Sequence, residues 1–346
     1  MSLPIFSETC DSLLKKHLTQ KVWESLAEKR TRAGFTFQQA IRSGIEQPDS
    51  GVGVYAGDEE SYTLFASLLK PIIEDYHGSA GPHPHTDFSL DSLPAVSLEA
   101  ERLVQSTRIR VGRNLANFPM GAAISREQRL EVESLIRDAL RDLPEATNGQ
   151  YHSLSEMSAE QKSDLVARHL LFKSEDRFMA SGNLMRDWPE GRGLFLSHDE
   201  SFSVWVNEED QLRIIAMKPG GDVRNVFALL ADGLTTLSES LAFLFSDELG
   251  YLASCPTNLG TSMRASVHMA LPNLGQDEVA LKQRAEALRL QVRGLHGEHS
   301  ESVGTIYDIS NRMRLGVTEV EAVSHLIKGI NQLAALEIRL KTVSGL

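Results

Sequence analysis

From about residue 78 to residue 97 the chain loses all periodicity and runs through Gly, Pro, His, Ser and Asp. This stretch separates two regions of different character. Before it, apolar residues recur only at helical spacing. Leu13, Leu14, Leu18, Val22, Trp23 and Leu26 predict one amphipathic helix over 8–27. A short helix is expected between Gly34 and Gly44, and another over 60–77, kinked at Pro71. Between them Asp49-Ser50-Gly51-Val52-Gly53-Val54-Tyr55 has neither a helical nor a strand period and reads as a loop.

After the break, strand patterns appear. Residues 103–111 alternate, with Arg108 and Arg110 on one face. Ser125 with Gln128, and Ser158 with Gln161, are capping boxes opening helices that reach Leu143 and His169. Residues 202–206 and 212–217 predict two strands joined by the acidic hairpin Asn207–Gln211. Helices are expected over 221–245 and 276–291, and a polar loop over 297–303. A strand over 305–309 and a final helix, capped by Thr318 and Glu321 and reaching about Lys341, complete the pattern. Strands and helices do not alternate as βαβ units. The reading is therefore α+β: a small all-helical N-terminal domain (1–80), a linker (81–100), and a larger domain (101–346) with a mainly antiparallel sheet flanked by helices.

With 346 residues, 41% hydrophobic, the chain can bury two cores. No run approaches eighteen apolar residues, and the N-terminus lacks a signal-peptide layout, so no membrane partner is expected. Two cysteines, Cys10 and Cys255, make no disulfide framework and fit a reducing cytoplasm. The net charge of −12 argues against nucleic acid, and any anion must be met by arginines gathered locally.

Such arginines exist. Arg108, Arg110, Arg213, Arg264 and Arg293 fall on or beside predicted strands. They would either bind an anion or form a solvated, ion-paired sheet face. The familiar phosphate cradles, GxxxxGK[ST] and GxGxxG, are missing. Glu208, Glu209 and Asp210 offer either acid–base groups or a soluble hairpin tip. Cys255 heads the turn Pro256-Thr257-Asn258-Leu259-Gly260-Thr261-Ser262, then Arg264-Ala265-Ser266-Val267-His268, whose alternate members share a strand face. It is either a reactive thiol or a buried cysteine before a strand.

The Cys255–Thr261 block with Arg264–His268 closely resembles the signature of the phosphagen (guanidino) kinases. Ser106-Thr107-Arg108-Ile109-Arg110, Val204–Asp210 and Tyr307–Asn311 are similar to further family blocks, in family order. The resemblance covers nearly the whole chain. It implies a helical domain ahead of a catalytic ATP:guanidino phosphotransferase domain, reversible transfer of the ATP γ-phosphoryl group, and ATP/ADP with Mg2+ held mainly by phosphates and water. Loops 49–55 and 297–301 resemble those of the arginine-specific branch, implying L-arginine as the small-molecule substrate, with other guanidino acceptors as alternatives. A protein-arginine kinase, or a non-catalytic nucleotide-binding regulator, is less well matched. A monomer or a homodimer is expected.

Carried over by position, the resemblance makes Glu209, Glu298 and Cys255 catalytic. The two glutamates bracket the guanidinium, and the thiolate faces one of its nitrogens, its pKa lowered by neighbouring positive charge. Ser50, Gly51, Val52, Gly53, Val54 and Tyr55 would hold the carboxylate and amine. The ATP set would be Ser106, Thr107, Arg108, Ile109, Arg110, His169, Arg213, Arg264, Ala265, Ser266, Val267, His268, Arg293, Gly294, Leu295, His296, Gly297, Glu298 and Asp308, with arginines on the phosphates and His169, His268 and Asp308 around adenine and ribose. Leu295 and His296 stand where this branch commonly has threonine and arginine, so one phosphate or loop contact is expected to be weaker. The block around Arg186-Asp187-Trp188-Pro189 looks more like creatine kinase. Asp49 is expected to pair with Arg177 between the two parts of the chain.

Overall fold

The computed structural model describes residues 2–78, 82–294 and 305–344. Five helices fill its first part: α1 (Leu13–His17), α2 (Gln20–Leu26), α3 (Phe37–Glu46), α4 (Glu59–Leu64) and α5 (Ala66–His77). The single helix expected over 8–27 is two. Leu18 leaves the helical region, and Thr19 caps the next helix by accepting from Val22 N. The helix expected over 60–77 is also split, at Phe65 (φ −102°, ψ 19°), and α5 runs on through Pro71.

Beyond residue 82 come α6 (Leu98–Leu103), β1 (Val104–Arg113), α7 (Arg126–Ala139), β2 (Gly149–Ser153), α8 (Ala159–Ala167) and α9 (Arg177–Ser181). These are followed by β3 (Gly193–Ser197), β4 (Phe202–Val206), β5 (Leu212–Pro219), α10 (Val223–Ser240), β6 (Phe245–Ser246), β7 (Gly250–Tyr251) and β8 (Met263–Ala270). The order ends with α11 (Glu278–Ala287), β9 (Leu290–Arg293), β10 (Ile306–Asn311) and α12 (Glu319–Ser344). Both predicted capping boxes form, at Ser125/Gln128 and Ser158/Gln161. The pattern over 276–291 ends early as a helix. Arg289 (φ 59°) turns the chain, and Leu290 begins a strand.

Eight strands form one antiparallel sheet in the order β2-β3-β4-β5-β1-β8-β10-β9. Strand alternation divides its centre into two faces. Ile109, Val111, Ile214, Ala265, Val267 and Ile309 point to one side and are fully or almost fully buried in a core that includes residues of α10 and α12. Burying each aliphatic side chain contributes ~1.5–3 kcal/mol, so this side is fixed, and the polar residues between them must face the other.

The helical part has no closed core of its own. Leu14, Trp23, Phe37, Ile41, Phe65 and Ile72 pack in one cluster with Met120, Met179, Leu184, Leu252, Leu259 and Leu315 from the rest of the chain. Among the described residues, no helix is long and apolar enough to cross a membrane.

Candidate active site

The polar face of the central sheet carries the arginines. Arg108 and Arg110 lie two apart on β1, and the register sets Arg110 opposite Arg264 of β8. Arg213 of β5 lies opposite Gly112, and Arg293 of β9 opposite Asp308 of β10. Trp205 floors the group, with the Arg213 and Arg108 guanidinium carbons 5.5 and 5.8 Å from its ring centre.

Crowding shows in the proton equilibria. Burial, then Arg213 and Arg264, pushes Arg108 down to about 10. Burial and the same neighbours hold Arg110 well below the usual guanidinium range. One compensating carboxylate is Asp308, 2.8 Å from Arg264 Nη2. Arg264 Nε and Asp308 Oδ1 are nevertheless buried without hydrogen-bond partners. Such a face suits a polyanion. His268 sits on the same strand face as Arg264, its Nδ1 3.2 Å from Ser106 Oγ. Burial chiefly lowers its pKa, while Asp308 opposes this. His169, at φ 59° after α8, acts electrostatically on His268.

The other half of the site is the hairpin between β4 and β5. Asn207, at φ 55°, donates to Gly191 O and Arg129 O and anchors the turn. Glu208 accepts from Arg213 Nη1 at 3.0 Å and from Glu209 N at 3.0 Å. Glu209 accepts from Arg213 Nη2 at 3.1 Å and from Asn258 Nδ2 at 3.3 Å. Behind it Asp210 is buried, taking N–H donors from Asn114 and Ser254, while Ser254 Oγ donates to Glu209 O. Burial chiefly pushes Glu209 up to about 8, against the pull of Arg213.

Cys255 immediately precedes the 3-10 turn Pro256–Asn258, its Sγ 3.2 Å from Thr257 Oγ1. The expected lowering of its pKa by positive charge is not found. Burial, reinforced by the Glu209 carboxylate, pushes the thiol up to about 12.

Loop 49–55 is pinned by its backbone. Gly51 O and Val52 O take the N–H groups of Leu13 and Leu14, satisfying donors that the first turn of α1 leaves open. Gly53 O accepts from Gly44 N, and a Cβ on Gly44 would lie 2.6 Å from Gly53 Cα. Gly53 has φ +81°, a conformation that favours glycine. Ala56 N donates to Ser254 O, next to the cysteine. Arg177 Nη1 reaches Asp49 Oδ1 at 2.9 Å, so the anticipated pair forms.

A cleft of about 1040 Å³ is lined by residues 50–55, Glu208, Glu209, Cys255, Arg110, Arg213 and Arg293. Arg108, Arg264, Ser266, His268 and Asp308 lie farther along the same sheet face. Thr107, Ile109, Ala265 and Val267 depart from the expectation. Their side chains turn to the opposite face, buried; the backbones of Thr107, Ile109 and Val267 lie within ladders on both sides, while Ala265 pairs with Ile109 and gives its N–H to Asn311 Oδ1. They frame the site and do not present side chains to it. Glu298, Leu295, His296 and Gly297 lie outside the described residues, and Gly294 closes the strand segment before them.

Sequence reasoning missed Arg314 and Asn258. Arg314 lines the cleft and donates to Thr257 O (2.7 Å) and Asn258 Oδ1 (2.9 Å), which ties it through the Asn258 amide to Glu209. The charged run Arg312-Met313-Arg314 directly after the Tyr307–Asn311 block was the available signal.

Comparison with known proteins agrees with this geometry. The profile of the ATP:guanido phosphotransferase C-terminal catalytic domain matches residues 131–340, and that of the N-terminal domain of the same name matches residues 8–74. An arginine kinase of Penaeus vannamei is 45% identical over 95% of this chain and 93% of its own length. The arginine kinase of Limulus polyphemus is 44% identical, with the same coverage. Among solved structures, a lombricine kinase superposes with TM-score 0.91 at 34% identity, covering 99% of this chain and 95% of that one. The duplicated taurocyamine kinase of Schistosoma mansoni gives 0.90 at 38% identity over 96% of this chain. The present chain spans 48% of that protein.

Proposed function

This chain belongs to the ATP:guanido phosphotransferase family and is an enzyme of that class, and from that premise we propose that its acceptor is free L-arginine, converted reversibly with ATP to phosphoarginine and ADP. The observation that carries the reading is the joining, in one cleft, of an arginine face to a loop, carboxylate and thiol set. Two named arginine kinases at 44–45% identity over almost the full length favour arginine among the guanidino acceptors.

A guanidinium is a poor nucleophile, because its charge is delocalised and its pKa exceeds about 12. In this reading Glu209, fixed by Arg213 and Asn258, orients one nitrogen in line with the γ-phosphorus and removes its proton as the N–P bond forms. Glu298 would bracket the guanidinium from the other side. Cys255 faces the same cation, which would draw its thiol toward the thiolate. Gly51–Tyr55 would hold the carboxylate and amine.

Arg108, Arg110, Arg213, Arg264 and Arg293 would carry the phosphates, with His169, His268 and Asp308 toward the nucleoside. Their guanidiniums would spread the charge of the transferring group. Mg2+ would ride on phosphate oxygens and water, where it neutralises phosphate charge. Asp308 Oδ1, a buried acceptor without a donor, fits a water of that hydrated ion. A coupled assay with arginine, taurocyamine, lombricine, glycocyamine and creatine tests the assignment. Arginine should give the highest kcat/KM, and a preference for any other acceptor overturns it.

A further inference from the structure

The helical part does more than carry the substrate loop. It grips the backbone on both sides of Cys255. Tyr62 Oη donates to Ala253 O at 2.6 Å, Ala56 N donates to Ser254 O at 2.8 Å, and His77 Nε2 reaches Pro256 O at 2.8 Å. His77 is the last residue of α5, whose end packs against the turn Pro256–Asn258. Burial chiefly, with Arg314 adding, pushes this imidazole down to about 4. A carbonyl oxygen only accepts, so Nε2–H is the donor of this bond.

We propose that His77 is a positioning residue for the phosphoryl transfer, its hydrogen bond to Pro256 O setting the turn that carries Cys255 and Asn258. Asn258 in turn donates to the Glu209 carboxylate at 3.3 Å. The chain of contacts is therefore His77, the turn, Asn258 and Glu209. A displacement of the turn reaches both the thiol and the base. Misplacement by about 1 Å costs up to about a hundredfold in rate, which sets the scale expected here. The inference rests on the roles given above to Glu209 and Cys255.

The test compares His77→Ala, His77→Asn and His77→Gln in the full chain. In glutamine the amide nitrogen reaches about as far as Nε2 of histidine, whereas asparagine stops short of the carbonyl. Steady-state kinetics and iodoacetamide alkylation of Cys255, followed by peptide mass mapping, are the readouts. His77→Ala and His77→Asn should lower kcat roughly ten- to a hundredfold, with the KM for ATP changed less than about twofold. Both should change the Cys255 alkylation rate several-fold. His77→Gln should recover most of both losses.

Equal behaviour of the Gln and Asn variants overturns the proposal, as does a lower Tm with unchanged kcat and alkylation rate. Should His77→Ala not fold, the Gln–Asn comparison decides by the same criteria. Wild-type turnover with arginine is measured alongside. Its absence refutes the arginine assignment, whereas a flat His77 series with active wild type refutes only the positioning role.

Discussion

Arg177, in the first turn of α9, donates to both carboxylate oxygens of Asp49 at the start of loop 49–55, and a third bond runs to Gln47 Oε1. Both side chains are more than half exposed, so water screens the pair and little global stability rests on it. What it holds is the approach of loop 49–55 to the sheet-bearing part of the chain. Asp49→Asn should shift Tm by no more than a few degrees, and 1 M NaCl should erase that shift. Arginine KM should rise several-fold. Calorimetry at two salt concentrations, with arginine saturation curves, checks this.

Replacing Glu209 by Gln keeps the shape and the contact with Asn258 but removes the proton acceptor. kcat should fall by roughly 10²–10⁴, the usual worth of general base catalysis. ATP affinity, measured calorimetrically, should change little. Turnover at the wild-type rate would remove Glu209 as base.

The same carboxylate predicts opposite pH trends for activity and stability. Burial chiefly, opposed by Arg213, raises it from 4.5 to about 8. A base must be ionised, so kcat/KM should climb with pH and level off above about 8, a limb that Glu209→Gln should lack. In stability the sign reverses. Between pH 4.5 and about 8 the unfolded chain releases this proton while the folded chain keeps it. The group's contribution is therefore complete below 4.5 and is lost as pH rises through about 8. Glu209→Gln should gain Tm relative to wild type between pH 5 and pH 8.5.

Cys255 should be a slow nucleophile at neutral pH, because burial and Glu209 push its thiol up to about 12. Glu209→Gln removes one of the two leading causes, so alkylation at about pH 9, where Glu209 is ionised, should become faster than in wild type. An unchanged or slower rate would mean that the carboxylate does not act on the thiol.

Gly44→Ala tests the seat of loop 49–55 and the substrate role proposed for it. The new methyl would stand 2.6 Å from Gly53 Cα and Gly53 O, so the loop must shift. Overpacking of this kind costs about 1–3 kcal/mol. Arginine KM should rise while ATP binding stays near wild type.

Much of this arrangement is legible in the sequence, and the reasons differ by element. Ser125 with Gln128, and Ser158 with Gln161, name their helix starts because capping is local chemistry. Alternation on β1 and β8 correctly puts Arg108, Arg110, Arg264 and His268 on one face. The same alternation, applied strictly, would have removed Ile109, Ala265 and Val267 from the contact set. Strand β3 stayed hidden because all but one of its residues are buried, leaving no period to detect. Strand β2 is short, with Gly149, Tyr151 and Ser153 giving no apolar rhythm. Asn258 and Arg314 were missed for another reason. Their importance lies in contacts with Glu209 and with each other, and no sequence spacing reports a hydrogen bond between residues 49 or 56 positions apart.

The core shared by Phe37, Phe65 and Leu14 with Leu252, Leu259 and Leu315 limits how such a protein can be re-engineered or diverge. A cut between the helical part and the remainder would strip apolar walls from both pieces, so neither fragment should serve as a free-standing module. Exchange of residues within the short loop between Asp49 and Tyr55 is the smaller edit, because main-chain bonds hold much of it, provided that Gly53 and the buried Val54 and Tyr55 are kept. Transplanting the whole helical region from a relative would also demand matching partners at Met120, Leu184 and Leu315. On the role proposed for this loop, new acceptors are reached more readily by editing a few of its residues than by shuffling domains.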